Sequence, residues 1–277
     1  MLAKPLPRIL TALCAALVLV SAAPQRPRRV VSINMCTDQL VVLLADRSQI
    51  AGLGPNAGKA ELSAVADKIA GLPVLGGSAE EILAAQPDLV IGSPATGDPR
   101  LRVLRGSGYR TVDVPSAESY AQILASIRQV AAALGHPERG DAMIAIMNRQ
   151  LAALPRAPHG KVAAYYQRRG YMTGTGTLVD DLMTRVGLVN LATKLGKPAL
   201  SQVSLEEMVA AHPDYLIMES ATAKVADQGT EMLHHPALNG MKRLSVPQAW
   251  TVCGGPFYVQ AAQDLARQMT RQRVSAR

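Results

Sequence analysis

The sequence predicts an α/β protein of two lobes with parallel sheets, joined by one long α-helix, with a ligand cleft between the lobes. Three observations predict this. The segment Ser78–Ile91 recurs as Ser204–Ile217, position for position. Each half opens with a short apolar strand, a loop and an apolar helix. A long helical stretch separates the halves. Strands that alternate with helices favour parallel sheets with helices on both faces.

The first residues have the pattern of a secretory signal peptide. Lys4 and Arg8 precede the apolar run Ile9–Val20, and the small residues Ser21–Ala23 offer a cleavage site. The run is shorter than the roughly 20 apolar residues that span a bilayer, so a short membrane anchor is the weaker alternative. We therefore predict a cleaved signal peptide over residues 1–23 and a periplasmic mature protein.

Residues 24–135 are predicted to form the N-terminal lobe. Its first strand is Arg29–Ile33, and a polar turn leads from it into an apolar helix over Gln39–Leu44. In the first copy of the repeat, Ser78 is a candidate N-cap, and two glutamates follow in the first turn, where the helix dipole favours negative charge. Pro87 then ends the helix, and an apolar run predicts a buried strand.

The connection and the C-terminal lobe follow in the same way. A helix capped by Ser116 and ended by Gly135 precedes the linking helix, residues 136–156, which begins at Pro137. Residues 157–277 form the C-terminal lobe. Its first strand, Lys161–Tyr166, leads through a glycine-rich loop into a helix over Leu178–Val186. The second copy of the repeat completes the parallel with the first lobe.

The composition argues against several functions. The chain has 29 Lys and Arg against 21 Asp and Glu, but the basic residues are scattered, which predicts no nucleic-acid partner. The sequence has neither GxSxG nor HExxH, and its five histidines mostly adjoin proline or glycine at helix ends. We therefore predict a protein that is not an enzyme and that has no metal centre or cofactor of its own.

Ligands of open parallel sheets bind outside the carboxyl ends of the strands, so the loops after strands are the candidate site. Five of the nine aromatic residues fall in or beside such loops of the second lobe, which suits a large, flat or partly apolar ligand. The alternative for these aromatics is packing in the core. Two adjacent arginines suit carboxylate or phosphate groups, and their alternative is a solvated surface pair. The candidate ligand-binding residues are Asn34, Met35, Cys36, Asn56, Ser93, Tyr166, Arg168, Arg169, Tyr171, Trp250, Cys253, Phe257 and Tyr258.

Two cysteines, Cys36 and Cys253, lie beyond the predicted signal peptide, each just after a predicted strand. Neither belongs to a CxxC or CxxH pair, so they do not predict a zinc site. In an oxidising compartment they are candidates for a disulfide between the lobes, with a chain-entropy stabilisation on the order of 4–5 kcal/mol. The alternatives are that the cysteine sulfurs contact the iron or cobalt of a bound ligand, or that the cysteines are simply small buried residues.

Several segments together resemble the ferric-siderophore and cobalamin class of periplasmic binding proteins, over the whole mature length. The resemblance rests on Arg29–Ser32, on Glu80–Val90, on the long linking helix, on Glu206 and Glu207 followed by His212–Asp214, and on Trp250–Tyr258 before a final helix. It implies two Rossmann-like lobes joined by one rigid helix. It also implies that Glu80 and Glu206 dock onto arginines of a transporter, although both also suit a helix N-terminus.

The function that this resemblance implies is capture of a metal chelate for an ATP-driven importer. The expected ligand is a chelated iron or cobalt compound, either a ferric siderophore or a corrinoid, and the expected partner is a dimeric ABC permease in the inner membrane. We expect the protein to be a monomer and to have no cofactor of its own besides this ligand. The alternative is a periplasmic enzyme on the same fold, a reductase or chelatase that uses Cys36 and Cys253.

Overall fold

A computed structural model describes residues 26–94, 97–155 and 160–274. The predicted signal peptide lies outside these residues. The first half forms a four-stranded parallel sheet with the strand order β2-β1-β3-β4. Its elements in chain order are β1 (Val30–Ser32), α1 (Met35–Leu44), β2 (Ile50–Gly52), α2 (Ala79–Ala84), β3 (Leu89–Gly92), α3 (Pro99–Gly106) and β4 (Thr111–Asp113).

Two long helices follow, α4 (Tyr120–Leu134) and α5 (Pro137–Ala152), and they pack against each other. Ser119, and not the predicted Ser116, caps α4, because its hydroxyl accepts the N–H of Gln122. Gly135 ends α4 with φ +80°, a left-handed conformation that favours glycine. Helix α5 occupies most of the predicted linking segment, and its 16 residues span about 24 Å.

The second half forms a six-stranded sheet. Its elements in chain order are β5 (Lys161–Tyr166), β6 (Tyr171–Thr173), α6 (Leu178–Arg185), β7 (Leu188–Asn190), α7 (Leu191–Lys194), β8 (Leu200–Gln202), α8 (Leu205–Ala211), β9 (Tyr215–Glu219), α9 (Gln228–Glu231), β10 (Lys242–Val246) and α10 (Tyr258–Val274).

The second sheet repeats the first and adds to it. Strands β7, β5, β9 and β10 are parallel neighbours, in the same relation as β2, β1, β3 and β4. Strand β6 runs antiparallel to β5, and β8 runs antiparallel to β6. The connection from β5 to β6 is too short for a parallel crossover, which needs about a dozen residues. It turns through Arg169 and Gly170, with φ +58° and +75°, so the predicted glycine-rich loop contains a strand.

The sequence repeat corresponds to one structural unit in each lobe. Ser78 caps α2 and Ser204 caps α8, each by accepting the N–H three residues later. Gln86 and His212 hold matching positive φ angles, +46° and +39°, before a proline. The aspartate that follows each proline accepts backbone N–H groups at the start of the lobe's first strand. The matched hydrogen bonds explain why the polar positions recur along with the apolar ones.

The two lobes share one hydrophobic core. Its buried members include Ile127 of α4, Met147 of α5, Leu182 of α6 and Leu265 of α10, together with residues of both sheets. Helix α5 contacts both α4 and α10 and is therefore not an isolated rod. Within the described residues, the helices include none with the length and hydrophobicity needed to cross a membrane.

Candidate functional site

A cavity of about 290 Å³ lies where the carboxyl ends of the two sheets meet, and we call it the cleft. The loops after β1, β3 and β4 supply one wall, and the loops after β5, β9 and β10 supply the other. Its volume is at the small end of the range for ligand pockets. Its polar lining residues are Asn34, Cys36, Thr37, Ser93, Ser116, Glu118, Ser126, Tyr165, Gln167, Thr173, Thr177, Glu219, Gln248 and Thr251.

Two matched pairs of polar side chains face each other across the cleft. In the first lobe the Asn34 amide donates a hydrogen bond to the Ser93 hydroxyl at 2.8 Å. In the second lobe the Gln167 amide donates one to the Glu219 carboxylate at 3.2 Å. The strand registers make the pairs equivalent, because Val30 lies opposite Leu89 and Ala163 lies opposite Tyr215. The duplicated fold thus presents an amide and an oxygen acceptor at the same place in each lobe.

The two pairs differ in charge. Glu219 is buried, with 7 % of its surface exposed, and this burial raises the pKa of its carboxyl, an effect that the Gln167 hydrogen bond partly offsets. Its neighbour Tyr165 is also buried, and desolvation raises the pKa of its phenol. The Tyr165 hydroxyl lies 3.2 Å from that of Thr251. The second-lobe wall therefore carries an acid where the first-lobe wall carries a neutral hydroxyl.

One side of the cleft is closed by contacts between the lobes. Cys36 and Cys253 form a disulfide with a Cα–Cα distance of 5.2 Å. The Glu118 carboxylate accepts the N–H of Leu178, the first residue of α6, at 3.2 Å. Gly254 packs so closely on Ala117 that a Cβ there would lie 2.5 Å from the Ala117 Cβ. The lobes are therefore fastened together at the site itself.

Aromatic side chains strengthen this junction. The Tyr120 and Tyr258 rings, from opposite lobes, lie 5.5 Å apart. The Arg185 guanidinium lies 4.6 Å from the Tyr120 ring centre and donates to the Tyr258 hydroxyl. That hydroxyl in turn donates to Asp181. The predicted ligand-binding residue Tyr258 is thus a buried part of the junction between the lobes.

Three of the predicted ligand-binding residues, Asn34, Cys36 and Ser93, line the cleft. Tyr166 does not, because side chains alternate along β5 and Tyr166 points into a separate core cluster of the second lobe, fully buried. Cys253 is 4 % exposed, and it reaches the cleft only through its disulfide partner. Trp250 is half-buried and packs against the main core.

The remaining predicted residues lie outside the cleft lining. Arg168 is exposed and pairs with Asp227, and the neighbouring Arg169 is exposed in the turn before β6. Tyr171 is exposed on β6, and Phe257 is half-buried just before α10. The other two, Met35 at the start of α1 and Asn56 in a turn after β2, are half-buried.

Several lining residues were not singled out from the sequence. Tyr165, Gln167 and Glu219 lie at the carboxyl ends of β5 and β9, where the rule for parallel sheets places ligands. The repeat would have predicted Glu219, because Glu219 follows the second copy at the position that Ser93 has after the first copy. Glu118 and Gln248 follow β4 and β10, the strands whose loops had no distinctive motif.

Comparison with known proteins identifies the family. The profile of the family described as "Periplasmic binding protein" matches residues 30–243. The chain belongs to the periplasmic binding protein family. A "Vitamin B12-binding protein" of Pectobacterium atrosepticum is 25 % identical over 207 residues, which cover 71 % of this chain and 72 % of that protein.

Solved structures share the fold of this periplasmic binding protein. An apo "Periplasmic heme-binding protein RhuT" from Roseiflexus sp. RS-1 matches with a TM-score of 0.72 and 25 % identity, over 88 % of this chain and 98 % of that chain. The "periplasmic Vitamin B12 binding protein BtuF" of Vibrio cholerae matches with a TM-score of 0.65 and 16 % identity, over 89 % and 98 % of the two chains. The two-lobed α/β fold is therefore that of periplasmic binding proteins.

The described residues contain no group of three or more His, Cys, Asp or Glu side chains placed to hold a metal ion. The polar groups that the cleft does present are amides, hydroxyls and carboxylates. Such groups recognise the periphery of a ligand by hydrogen bonds and charge.

Proposed function

We propose that this protein is the substrate-binding component of an ABC importer, which captures a metal chelate in the periplasm and delivers it to an inner-membrane permease. The observation that carries the proposal is the polar cleft between two matched lobes, in a chain of this family. Relatives are named for heme and for vitamin B12, both of which are metal complexes of a macrocycle. We propose a metal macrocycle as cargo, with a ferric siderophore as the alternative.

The size of the cleft sets how such a cargo would sit. A cavity of about 290 Å³ encloses only part of a macrocycle and its side chains, since drug-sized ligands already fill pockets of about 300–1,000 Å³. The ligand would therefore enter edge first, with the rest of its surface at the mouth. Export through the signal peptide, and action as a monomer, complete the proposal.

Glu80 and Glu206 are the proposed docking residues for the permease. Each is exposed in the first turn of its helix, α2 or α8. Each helix runs directly into the strand that follows it, so its N-terminus lies at the end of the lobe that also carries the cleft. Among the described residues, neither glutamate pairs with a lysine or arginine. By contrast, Glu81 caps α2 and Glu207 pairs with Lys197 at 2.8 Å.

Uptake assays test the docking role. We expect Glu80→Ala with Glu206→Ala to retain ligand affinity and to lose uptake, because the carboxylates face solvent and leave the cleft unchanged. The matched control is Glu81→Ala with Glu207→Ala, which removes the adjacent glutamates and should leave uptake near the wild-type level. Normal uptake by the first double variant would contradict the proposal.

We infer binding and not catalysis, because the two cysteines of the enzyme alternative are joined to each other and offer no thiolate nucleophile. Titration of candidate chelates tests both parts of the proposal. Trp250 lies between two cleft residues, Gln248 and Thr251, so its fluorescence should report binding. Recovery of the chelate unchanged after incubation supports binding, whereas a changed metal oxidation state or metal release supports the reductase or chelatase alternative.

A further inference from the structure

The cleft has an uneven charge. Its described lining contains two carboxylates, Glu118 and Glu219, and no lysine, arginine or histidine. The nearest basic side chain in sequence, Arg168, is exposed and pairs with Asp227, and its charge also acts on Glu219, where it acts to lower the pKa of the carboxyl that burial raises. Among the described residues that line the cleft, a ligand therefore meets acids and neutral polar groups, and no basic side chain that could receive a carboxylate.

The N-termini of α1 and α6 also open onto the cleft, and helix dipoles favour anions at such ends. Their free N–H groups are largely used within the protein. Asn34 accepts the N–H groups of Cys36 and Thr37 at the start of α1. At the start of α6, Thr177 accepts one N–H and the Glu118 carboxylate accepts another. The helix ends therefore do not compensate for the missing basic side chains.

Glu219 is the acid best placed to contact a ligand. Glu118 is committed to the contact between the lobes through its hydrogen bond to Leu178. Glu219 lies on the cleft wall, where Gln167 holds one carboxylate oxygen, Oε1. Among the described residues no hydrogen-bond donor reaches its second oxygen, Oε2, and that atom is not among the fully enclosed unpaired atoms. One oxygen is thus oriented by the protein and the other is available to the cleft.

We propose that Glu219, positioned by Gln167, determines ligand specificity by charge. The cleft favours a chelate that brings a positive charge or amide N–H donors to the second lobe, and it rejects one whose periphery carries free carboxylates. Because the equivalent residue of the first lobe is the neutral Ser93, the charge also sets the direction in which an asymmetric chelate sits. This inference rests on the proposed function, since it assumes that the cleft receives the chelate.

Two corrin compounds with the same ring and metal make a sharp test. Cobinamide carries amide side chains and a net positive charge, whereas cobyrinic acid carries carboxylic acids at the same ring positions. We expect calorimetry at neutral pH to give a Kd for cobinamide at least about tenfold lower than for cobyrinic acid or ferric heme. Mutual repulsion or attraction between charges in a partly desolvated site is commonly worth that much.

The variant Glu219→Gln removes the charge and keeps the acceptor oxygen for Gln167. We expect it to weaken cobinamide binding by about tenfold and to reduce the preference over cobyrinic acid by a similar factor. The matched control, Glu231→Gln, removes an exposed charge from the same lobe outside the cleft lining and should change neither value. If Glu219→Gln does not fold, the wild-type preference between the two corrins still tests the charge rule.

The outcomes separate this inference from the proposed function. Equal or tighter binding of cobyrinic acid or heme by the wild type would overturn the charge rule and leave the chelate-binding function standing. A wild-type preference that Glu219→Gln does not reduce would overturn the role of Glu219. If cobinamide, cobyrinic acid and heme all fail to bind, the proposed macrocycle cargo fails, and this inference fails with it.

Discussion

Asp38 is a buried carboxyl on α1, one residue after the cleft residue Thr37. Its side chain is fully buried, and it accepts the N–H of Gly54 at 3.1 Å on one oxygen. The other oxygen, Oδ2, has no hydrogen-bond partner among the described residues. Burial raises the pKa of this carboxyl to about 6, while the Ser32 side chain and the Gly54 N–H both act to lower it. The folded protein therefore binds this proton more tightly than the unfolded chain does.

The raised pKa of Asp38 makes the free energy of unfolding depend on pH. Between the unfolded pKa near 3.8 and the folded pKa of about 6, the native state holds a proton that the unfolded chain has lost, so stability falls as pH rises. We expect urea unfolding of Asp38→Asn, relative to the wild type, to gain about 2–3 kcal/mol between pH 4 and pH 7.5. The exposed control Asp67→Asn should show no such gain, and a parallel pH response of Asp38→Asn and wild type would contradict the prediction.

Some of the residues that line the cleft could be predicted from the sequence, and others could not. The rule for parallel sheets selected the loops that carry Asn34, Cys36 and Ser93, all of which line the cleft. It did not distinguish Tyr165 from Tyr166, because both end a strand and only the twist and register of the sheet decide which of two alternating side chains faces the cleft. Only Tyr165 lines the cleft, and Tyr166 lies in the core.

At the scale of elements, the repeat was predictable and the additions to it were not. The N-cap serines, the prolines and the apolar runs predict helix α2 with strand β3, and helix α8 with strand β9, because each of these patterns acts on neighbouring residues only. Strands β6 and β8 have few local signals; β6 pairs with β5, and β8 pairs with β6 at the edge of the sheet. Their antiparallel pairing depends on the turn before β6, which a sequence pattern does not specify uniquely.

The loop after β10 meets the loop after β4 at Gly254 and Ala117, two residues that line the cleft. A Cβ on Gly254 would lie 2.6 Å from the Ala117 carbonyl oxygen, so we expect Gly254→Ala to push the loops apart. The expected cost is about 1–3 kcal/mol of stability, with weaker ligand binding. Gly255→Ala is the matched control, because nothing lies within 4 Å of its added Cβ. Thermal melting and ligand titration of both variants check the prediction, and equal behaviour would contradict it.

At the scale of the whole molecule, the disulfide joins residues 217 positions apart, one from each lobe. Closing so long a loop restricts the unfolded chain, so we expect the Cys36→Ser, Cys253→Ser double variant to lose about 4–5 kcal/mol of unfolding free energy. Thiol labelling of the denatured, unreduced mature protein should find no reactive thiol. Two labelled thiols per chain would show that the bond does not form in the periplasm.

The shared core and the disulfide also limit motion between the lobes. A hinge needs residues that absorb large changes of φ and ψ, whereas the segment between the lobes is the packed helix α5. We expect small-angle scattering to give a radius of gyration of about 18 Å for the mature protein, with and without ligand. A clear decrease on ligand addition would contradict a fixed arrangement of lobes.

Lobes that are joined at the cleft have a consequence for the proposed delivery of ligand to a permease. If Glu80 and Glu206 dock onto a permease as proposed, and their spacing does not depend on whether the cleft is filled, an empty molecule offers the permease the same two carboxylates as a loaded one. Empty molecules then act as competitive inhibitors of import. Flux should pass through a maximum as the cell makes more of the protein at a fixed, scarce supply of chelate, and expression level becomes a control on uptake in its own right.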